Sequence, residues 1–370
     1  MPVTAKFYST EYPNIFFEAG TGPGELKKRI WEASEEEIDK ILADYGIPSP
    51  SELGKPGSYI QTTPQHYVLE RQRKNDVLLL PMGCTELHGA HSPLGQDTFQ
   101  VTQLCEAVRR RTAKEGCEVS LAFPAYLYGG HPWNHVGMPG TVMLDDHVLI
   151  EIVVGTLLGL WNAGWRKVIL VNNHAQKDQI ELGIQLFFKR YQLPAIVSLV
   201  EWHVAVREFF VPTDRPDSFQ TNFIHADEAE TSVGLLMFPE MFDMKYAVDT
   251  TGVKQLTLKD GHYDDSVMSM RRPHHFAEGQ GHNKLEWFGT PEGVVGRATL
   301  AEARKAKRAI AAAVEYIKLM VDEILEDYPA GKVPLDGSTF RNVEDLEPYL
   351  REPGSEGWRS VYDLPRVGAF

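Results

Sequence analysis

Four apolar runs, DVLLLPMG (76–83), CEVSLAFP (117–124), KVILVNNH (167–174) and LPAIVSLV (193–200), carry almost no polar alternation. A strand with one wet face alternates, so uninterrupted runs belong to strands buried on both faces. Between them lie stretches with helical spacing, at 97–116, 145–164 and 177–191. Strands alternating with helices need parallel crossover connections, and helices must then cover both faces of the sheet. The pattern predicts an α/β protein, a three-layer α/β/α sandwich with a mainly parallel central sheet.

A further amphipathic helix is predicted over 299–326, with Leu300, Ala303, Ala306, Ile310, Ala313, Ile317, Val321 and Ile324 on one face. Residues 1–70 read as an N-terminal extension holding a charged helix (PGELKKRIWEASEEEIDKILADYG), 71–328 as the main domain, and 329–370 as a Pro/Gly-rich extended tail.

The net charge of −14, from 51 acidic and 37 basic residues, argues against nucleic-acid and anionic-membrane partners and for a small-molecule ligand. The first twenty residues lack a basic segment followed by an apolar one. The longest apolar stretch, VLIEIVVGTLLGLW, is interrupted by Glu151 and too short to span a bilayer, so a cytoplasmic location is expected. Three cysteines, Cys84, Cys105 and Cys117, form no disulfide framework, and Cys84 reads as a small packed residue.

In open α/β sheets, ligands bind beyond the carboxyl ends of the strands. Three of the runs lead there into polar clusters: the first into Glu86, His88, His91 and Asp97, the second into His131, Trp133, Asn134 and His135, the third into His174. Carboxylates with imidazoles make a ligand set for Zn²⁺, Mn²⁺ or Fe²⁺. Asp97 also suits the N-cap of the helix that follows it.

Four segments then carry a specific likeness. LLLPMGCTELHGAHSPLGQDT resembles the creatininase (creatinine amidohydrolase) family signature, approximately PxGxxEqHGpHLPlxxD. GWRKVILVNNHAQKD resembles its second motif, a strand followed by N-G-H, while HVGMPGT and HADEAETS are similar to its H-x-x-F-P-G-T and H-A-G-x-x-E-T-S segments. Together they span 77–238 in the family's order.

The resemblance implies the three-layer fold within a creatininase-like catalytic domain at 71–328, two divalent cations, hydrolysis at a carbonyl carbon, and a homo-oligomer, usually a hexamer. Carried over by position, Glu86 and His174 would hold one metal and His88 the second, with Asp97 bridging. Glu230 would add a carboxylate at the centre, and His225 would transfer a proton to the leaving group.

The departures concern substrate. Creatininase proper has Tyr-Glu where this chain has Ala175 and Gln176, and a Trp where it has Thr221, so creatinine itself is not the expected substrate. His131, Trp133, Asn134, His135 and Gln176 are expected to line the substrate pocket, and His91 to play a supporting role. The leading expectation is a hydrolase of a small, polar, cyclic metabolite with an amide-type C–N bond. The alternatives are a ring-opening C–C hydrolase of a cyclic polyol diketone such as a dehydro-scyllo-inosose, and a non-catalytic metal- or metabolite-binding subunit. RRPHHFAEGQGHN (271–283) is expected to close over the pocket, to touch a neighbouring subunit, or to be a solvated basic loop.

Overall fold

A computed structural model of the protein describes residues 6–124, 127–132, 135–251, 290–335 and 339–367, and the backbone of 263–264 and 274–275. Trp133, Asn134 and the side chains of the 271–283 cluster lie outside the described residues.

An N-terminal hairpin, β1 (Phe7–Ser9) and β2 (Phe16–Glu18), precedes two helices, α1 (Gly22–Glu32) and α2 (Glu35–Tyr45). The sequence reads as one charged helix here, but Ser34 starts a second. Its hydroxyl accepts from Glu37 N while the Glu37 carboxylate accepts from Ser34 N. A short helix, α3 (Gln65–Gln72), then leads to the central sheet.

That sheet has four parallel strands, β3 (Val77–Met82), β4 (Ser120–Leu121), β5 (Lys167–Asn172) and β6 (Ile196–Glu201), in the order β4-β3-β5-β6. The connecting helices α4 (Gln96–Lys114), α5 (Asp146–Asn162) and α6 (Lys177–Tyr191) fall where the spacing predicts them. Alternate residues of β3 face opposite layers, as a pleated strand requires. Leu78, Leu80 and Met82 pack with Leu157, Leu158 and Trp161 of α5 and with Phe187 of α6. Val77 and Leu79 pack with Val101 and Leu104 of α4 and with the long C-terminal helix.

Pro81 sits in a central strand without breaking it. Leu79 O accepts from Ala122 N, so Pro81, two residues on, turns its missing N–H to the same edge, past the end of β4. β4 itself is shorter than its apolar run. Val119 N is taken by Thr112 Oγ1 and Phe123 N by Gln61 Oε1, so side chains satisfy the backbone on either side of the two-residue ladder.

After β6 come α7 (Trp202–Ala205), α8 (Glu228–Met237) and α9 (Ala303–Asp327). Helix α9 buries Ala306, Ile310, Ala313, Ile317 and Val321 of the predicted face. It packs on α8, α4, α1 and α2, where Ile30, Ile38, Leu42 and Tyr45 join the same apolar cluster. In the tail, where Pro/Gly content predicts extended chain, α10 (Val343–Leu350) is helical and buries Leu346 and Tyr349 beside the α5–α6 layer. Among the described residues no helix is long and apolar enough to cross a membrane.

From β3 the chain moves outward to β4, then crosses back to β5 and on to β6. The crevice of such a sheet opens where the direction reverses, at the carboxyl ends of β3 and β5.

Candidate metal centre

Both banks of that crevice carry the predicted ligands. The loop after β3 supplies Glu86 and His88 and returns into α4, whose first turn holds Asp97. Gly83 permits this return, because a Cβ there would stand 2.4 Å from Thr98 Cα. Gly95 takes the N-cap position, which leaves the Asp97 carboxylate turned into the crevice rather than capping the helix. His174 follows β5. His225 and Glu230 come from the start of α8, where Asp227 caps the helix by accepting from Ala229 N and Glu230 N. The carboxylate of Glu230 accepts from Ala226 N.

The groups converge in a buried cage. Glu86, His88 and Asp97 are at most 2% exposed. His174 Nδ1 lies 3.0 Å from Glu86 Oε2 and 3.2 Å from Asp97 Oδ2. On the other side, His88 Nε2 lies 3.5 Å from Asp97 Oδ1 and 3.6 Å from Glu230 Oε2. Asp97 thus turns one oxygen to each half of the cage. Asn173 Nδ2 donates to Asp97 Oδ1 (3.0 Å) and to Gln100 Oε1 (2.9 Å), while Asn173 Oδ1 accepts from Trp202 Nε1. Cys84 Sγ donates to Asp97 Oδ2 at 2.9 Å.

The electrostatics show a cage that demands positive charge. Burial alone would raise the Glu86 carboxyl, but the imidazoles of His135, His225 and His174 hold it well below the usual range. Burial likewise opposes the His88 and His174 cations, yet Asp97, Glu230 and Glu86 push His88 well up, and Glu86 with Asp97 raises His174 to about 10. Glu230 moves the other way: burial and the charges of Asp97 and Asp227 raise it well above an ordinary carboxylate, against the pull of His88. Three carboxyl groups this close need positive charge between them, and without metal the protons on the imidazoles and on Glu230 serve.

Three groups of donors lie within 4.8 Å of one another: Cys84, Glu86, His131 and His174; Glu86, His88 and His225; His88, Asp97 and Glu230. His131 Nε2 is buried without a hydrogen-bond partner, while imidazole nitrogens of His135 and His225 stand near Glu86 Oε1. Oxygen and imidazole donors in this arrangement fit divalent cations.

The remaining candidates separate by what they touch. His135 Nδ1 lies 3.1 Å from Glu86 Oε1, and His131 Nδ1 lies 3.3 Å from His135 Nδ1. The Gln176 amide is committed to the scaffold: it donates to Gly83 O and Asn172 Oδ1 and accepts from Gly130 N, tying β3, β5 and the 129–130 loop together. His91 bonds Thr231 Oγ1, and burial pushes it down to about 4. The contribution of Cys84 escapes sequence reasoning, since a Cys two residues before Glu86 carries no ligand spacing of its own. Asp227 was readable, as D-E-A-E places an acceptor at the N-cap three residues before Glu230.

The sequence profile of the creatininase family, described as creatinine amidohydrolase, matches residues 62–321. The 3-dehydro-scyllo-inosose hydrolase of Thermotoga maritima is 41% identical over 307 residues, 83% of this chain and 96% of that protein. The creatinine amidohydrolase of Pseudomonas putida is 28% identical over 184 residues, 47% of this chain and 68% of its own length. A crystal structure of creatinine amidohydrolase superposes with a TM-score of 0.52 at 22% identity, covering 76% of this chain and 99% of that one. A structure described as creatininase Mn gives 0.53 at 22% identity, covering 74% and 99%. At that identity the superpositions speak for the fold. The profile and the Thermotoga maritima relative, each running across most of the chain, carry the ancestry: this chain belongs to the creatininase family of hydrolases.

Proposed function

We propose that the chain is a binuclear metal-dependent hydrolase that opens the ring of a cyclic polyol bearing two ketones. The division of the Asp97 oxygens between His174 on one side and His88 on the other carries the reading of the centre, since a bridging carboxylate is what two adjacent cations require. The substrate class rests on the 41% identity to 3-dehydro-scyllo-inosose hydrolase over nearly the whole of that protein. It is preferred to the amide-type reading because Ala175, Gln176 and Thr221 replace the residues expected in creatininase proper.

Glu86, His174 and Asp97 Oδ2 would hold one cation, and His88, Glu230 and Asp97 Oδ1 the other. Zn²⁺, Mn²⁺ and Fe²⁺ all suit these donors. Two such cations, when bound, supply hydroxide near neutral pH and polarise a carbonyl oxygen. Asn173 orients Asp97, and the cage keeps bulk water out.

His225 moves the proton. Its Nε2 lies 2.8 Å from Leu87 O, which can only accept, so Nε2 carries the hydrogen and Nδ1 faces Glu86 Oε1 at 3.7 Å and Glu230 Oε2 at 3.9 Å. As water adds to one ketone carbon, Nδ1 takes its proton. The bond from that carbon to the carbon between the two ketones then breaks, and the second ketone receives the electron pair as an enolate. Return of the proton to carbon gives a carboxylate and one new C–H bond. The same reading extends to a homo-oligomer, hexameric by family resemblance, which light scattering reads.

The test runs the reaction in D₂O with 3-dehydro-scyllo-inosose and, in parallel, creatinine. A product with a carboxylate, at least one deuterium on the former inter-ketone carbon and no amine is expected from the first, with no turnover of the second. Cleavage of the cyclic amide alone would return the assignment to C–N hydrolysis. Elemental analysis tests the centre: about two cations per chain, falling to near none in Asp97→Asn. Full metal retention in that variant would sink the bridging role.

A further inference from the structure

The ligands carried over from the family leave Cys84 unused, and the fold places its sulfur inside the cage. We propose that Cys84 is a direct sulfur ligand of the cation held by Glu86 and His174. The proposal rests on the metal centre argued above and deepens it.

Cys84 is fully buried at the end of β3. Its Sγ lies 2.9 Å from Asp97 Oδ2 and 3.9 Å from Glu86 Oε2, and these two oxygens lie 3.2 and 3.0 Å from His174 Nδ1. Metal–ligand bonds of about 2.0–2.3 Å in a tetrahedron set ligand-to-ligand edges of about 3.3–3.8 Å. Three of the four measured separations fall short of that range and the fourth slightly exceeds it, so a cation placed among these atoms meets the sulfur after side-chain shifts of about half an ångström.

A second observation points to a cation in this corner. His131 is 5% exposed, its Nε2 has no hydrogen-bond partner, and it shares the donor group of Cys84, Glu86 and His174. The Gly129 backbone closes the far side of the cysteine, since a Cβ there would stand 2.7 Å from Cys84 Cβ.

Ligation exchanges the thiol proton for the cation. The proton leaves to solvent and no oxidant is involved. A sulfur donor biases this half of the centre towards Zn²⁺, Co²⁺ or Fe²⁺ and away from Mg²⁺ and Mn²⁺.

The test uses the full-length protein stripped with chelator and reloaded with Co²⁺, reading cobalt content and absorption together. A near-ultraviolet sulfur-to-cobalt charge-transfer band is expected in the wild type and in Cys117→Ser, and its loss in Cys84→Ser with cobalt still bound. X-ray absorption of the zinc-loaded wild type needs no variant and should show a sulfur at about 2.3 Å. Bound cobalt without the band, together with a zinc shell of nitrogen and oxygen alone, would overturn the sulfur ligand while leaving the metal centre intact. Binding of neither metal would overturn the centre, and the sulfur ligand with it.

Discussion

Replacing Asn173 with alanine isolates the support of the Asp97 carboxylate, the proposed bridge, from the ligands themselves. The change removes the bond from Nδ2 to Asp97 Oδ1 at 3.0 Å and strips Trp202 Nε1 of its acceptor in a ring only 2% exposed. A hydrogen bond to a charged partner contributes about 1.5–3 kcal/mol, and an orphaned buried donor costs about 1–3 kcal/mol. Metal-free Asn173→Ala should therefore unfold about 3–5 kcal/mol more easily than the wild type. The same bond fixes which way the Asp97 oxygens point. Removing a group that orients a ligand weakens metal binding about 10- to 100-fold, equivalent to about 1.4–2.7 kcal/mol. Urea unfolding of the stripped protein reads the first effect, and zinc competition against a chromophoric chelator reads the second. A variant that unfolds more easily yet binds zinc within about twofold of the wild type would refute the orienting role. It would leave Asn173 as a packing residue.

His225→Ala should keep its full metal content and lose about 10²- to 10⁴-fold in kcat, the usual contribution of a positioned proton carrier, and loss of metal would instead make His225 a ligand. Glu201 is raised from 4.5 to about 7, chiefly by burial, so the folded chain holds its proton more tightly than the unfolded chain does. Its effect on stability is absent at low pH, grows as a penalty between about 5 and 7, and persists above, reaching about 3 kcal/mol. Glu201→Gln should therefore stabilise the protein at pH 8 but barely at pH 4.5, and equal shifts in urea midpoint at both would refute the assignment. Lys305 Nζ lies 2.7 Å from Glu228 Oε1 with both side chains at most 3% exposed. Lys305→Met leaves the buried Glu228 without its cationic partner, with only Gln220 N, Thr221 N and Thr221 Oγ1 still donating to it, and should cost about 3–5 kcal/mol, a loss under about 1 kcal/mol refuting the pairing.

The layers were legible because burial on both faces leaves a plain signature. β3, β5 and helices α4 to α6 fall where the apolar runs and helical spacing put them. The errors were local. The shortening of β4 depends on side chains of Thr112 and Gln61, remote in sequence, that take its backbone N–H groups. The break at Ser34 was readable as a capping box but was masked by the charged stretch on either side. At the site, Glu86, His88, Asp97 and His174 stood out because strand ends concentrate polar groups. Which atoms face each other was not legible. The commitment of Gln176 to three backbone segments, the splitting of the Asp97 oxygens and the approach of Cys84 all arise only once β3 and β5 lie side by side.

The segment that precedes the family match is more than an ornament on the enzyme. Arg308 of α9 donates to Ile30 O and Ala33 O at the end of α1, and Lys305, one turn away, grips Glu228 beside Glu230. A chain trimmed to begin at residue 62 would lay bare the apolar side of α9 and loosen the helix that steadies α8. The boundary of the family match is therefore a poor guide to where this protein can be cut.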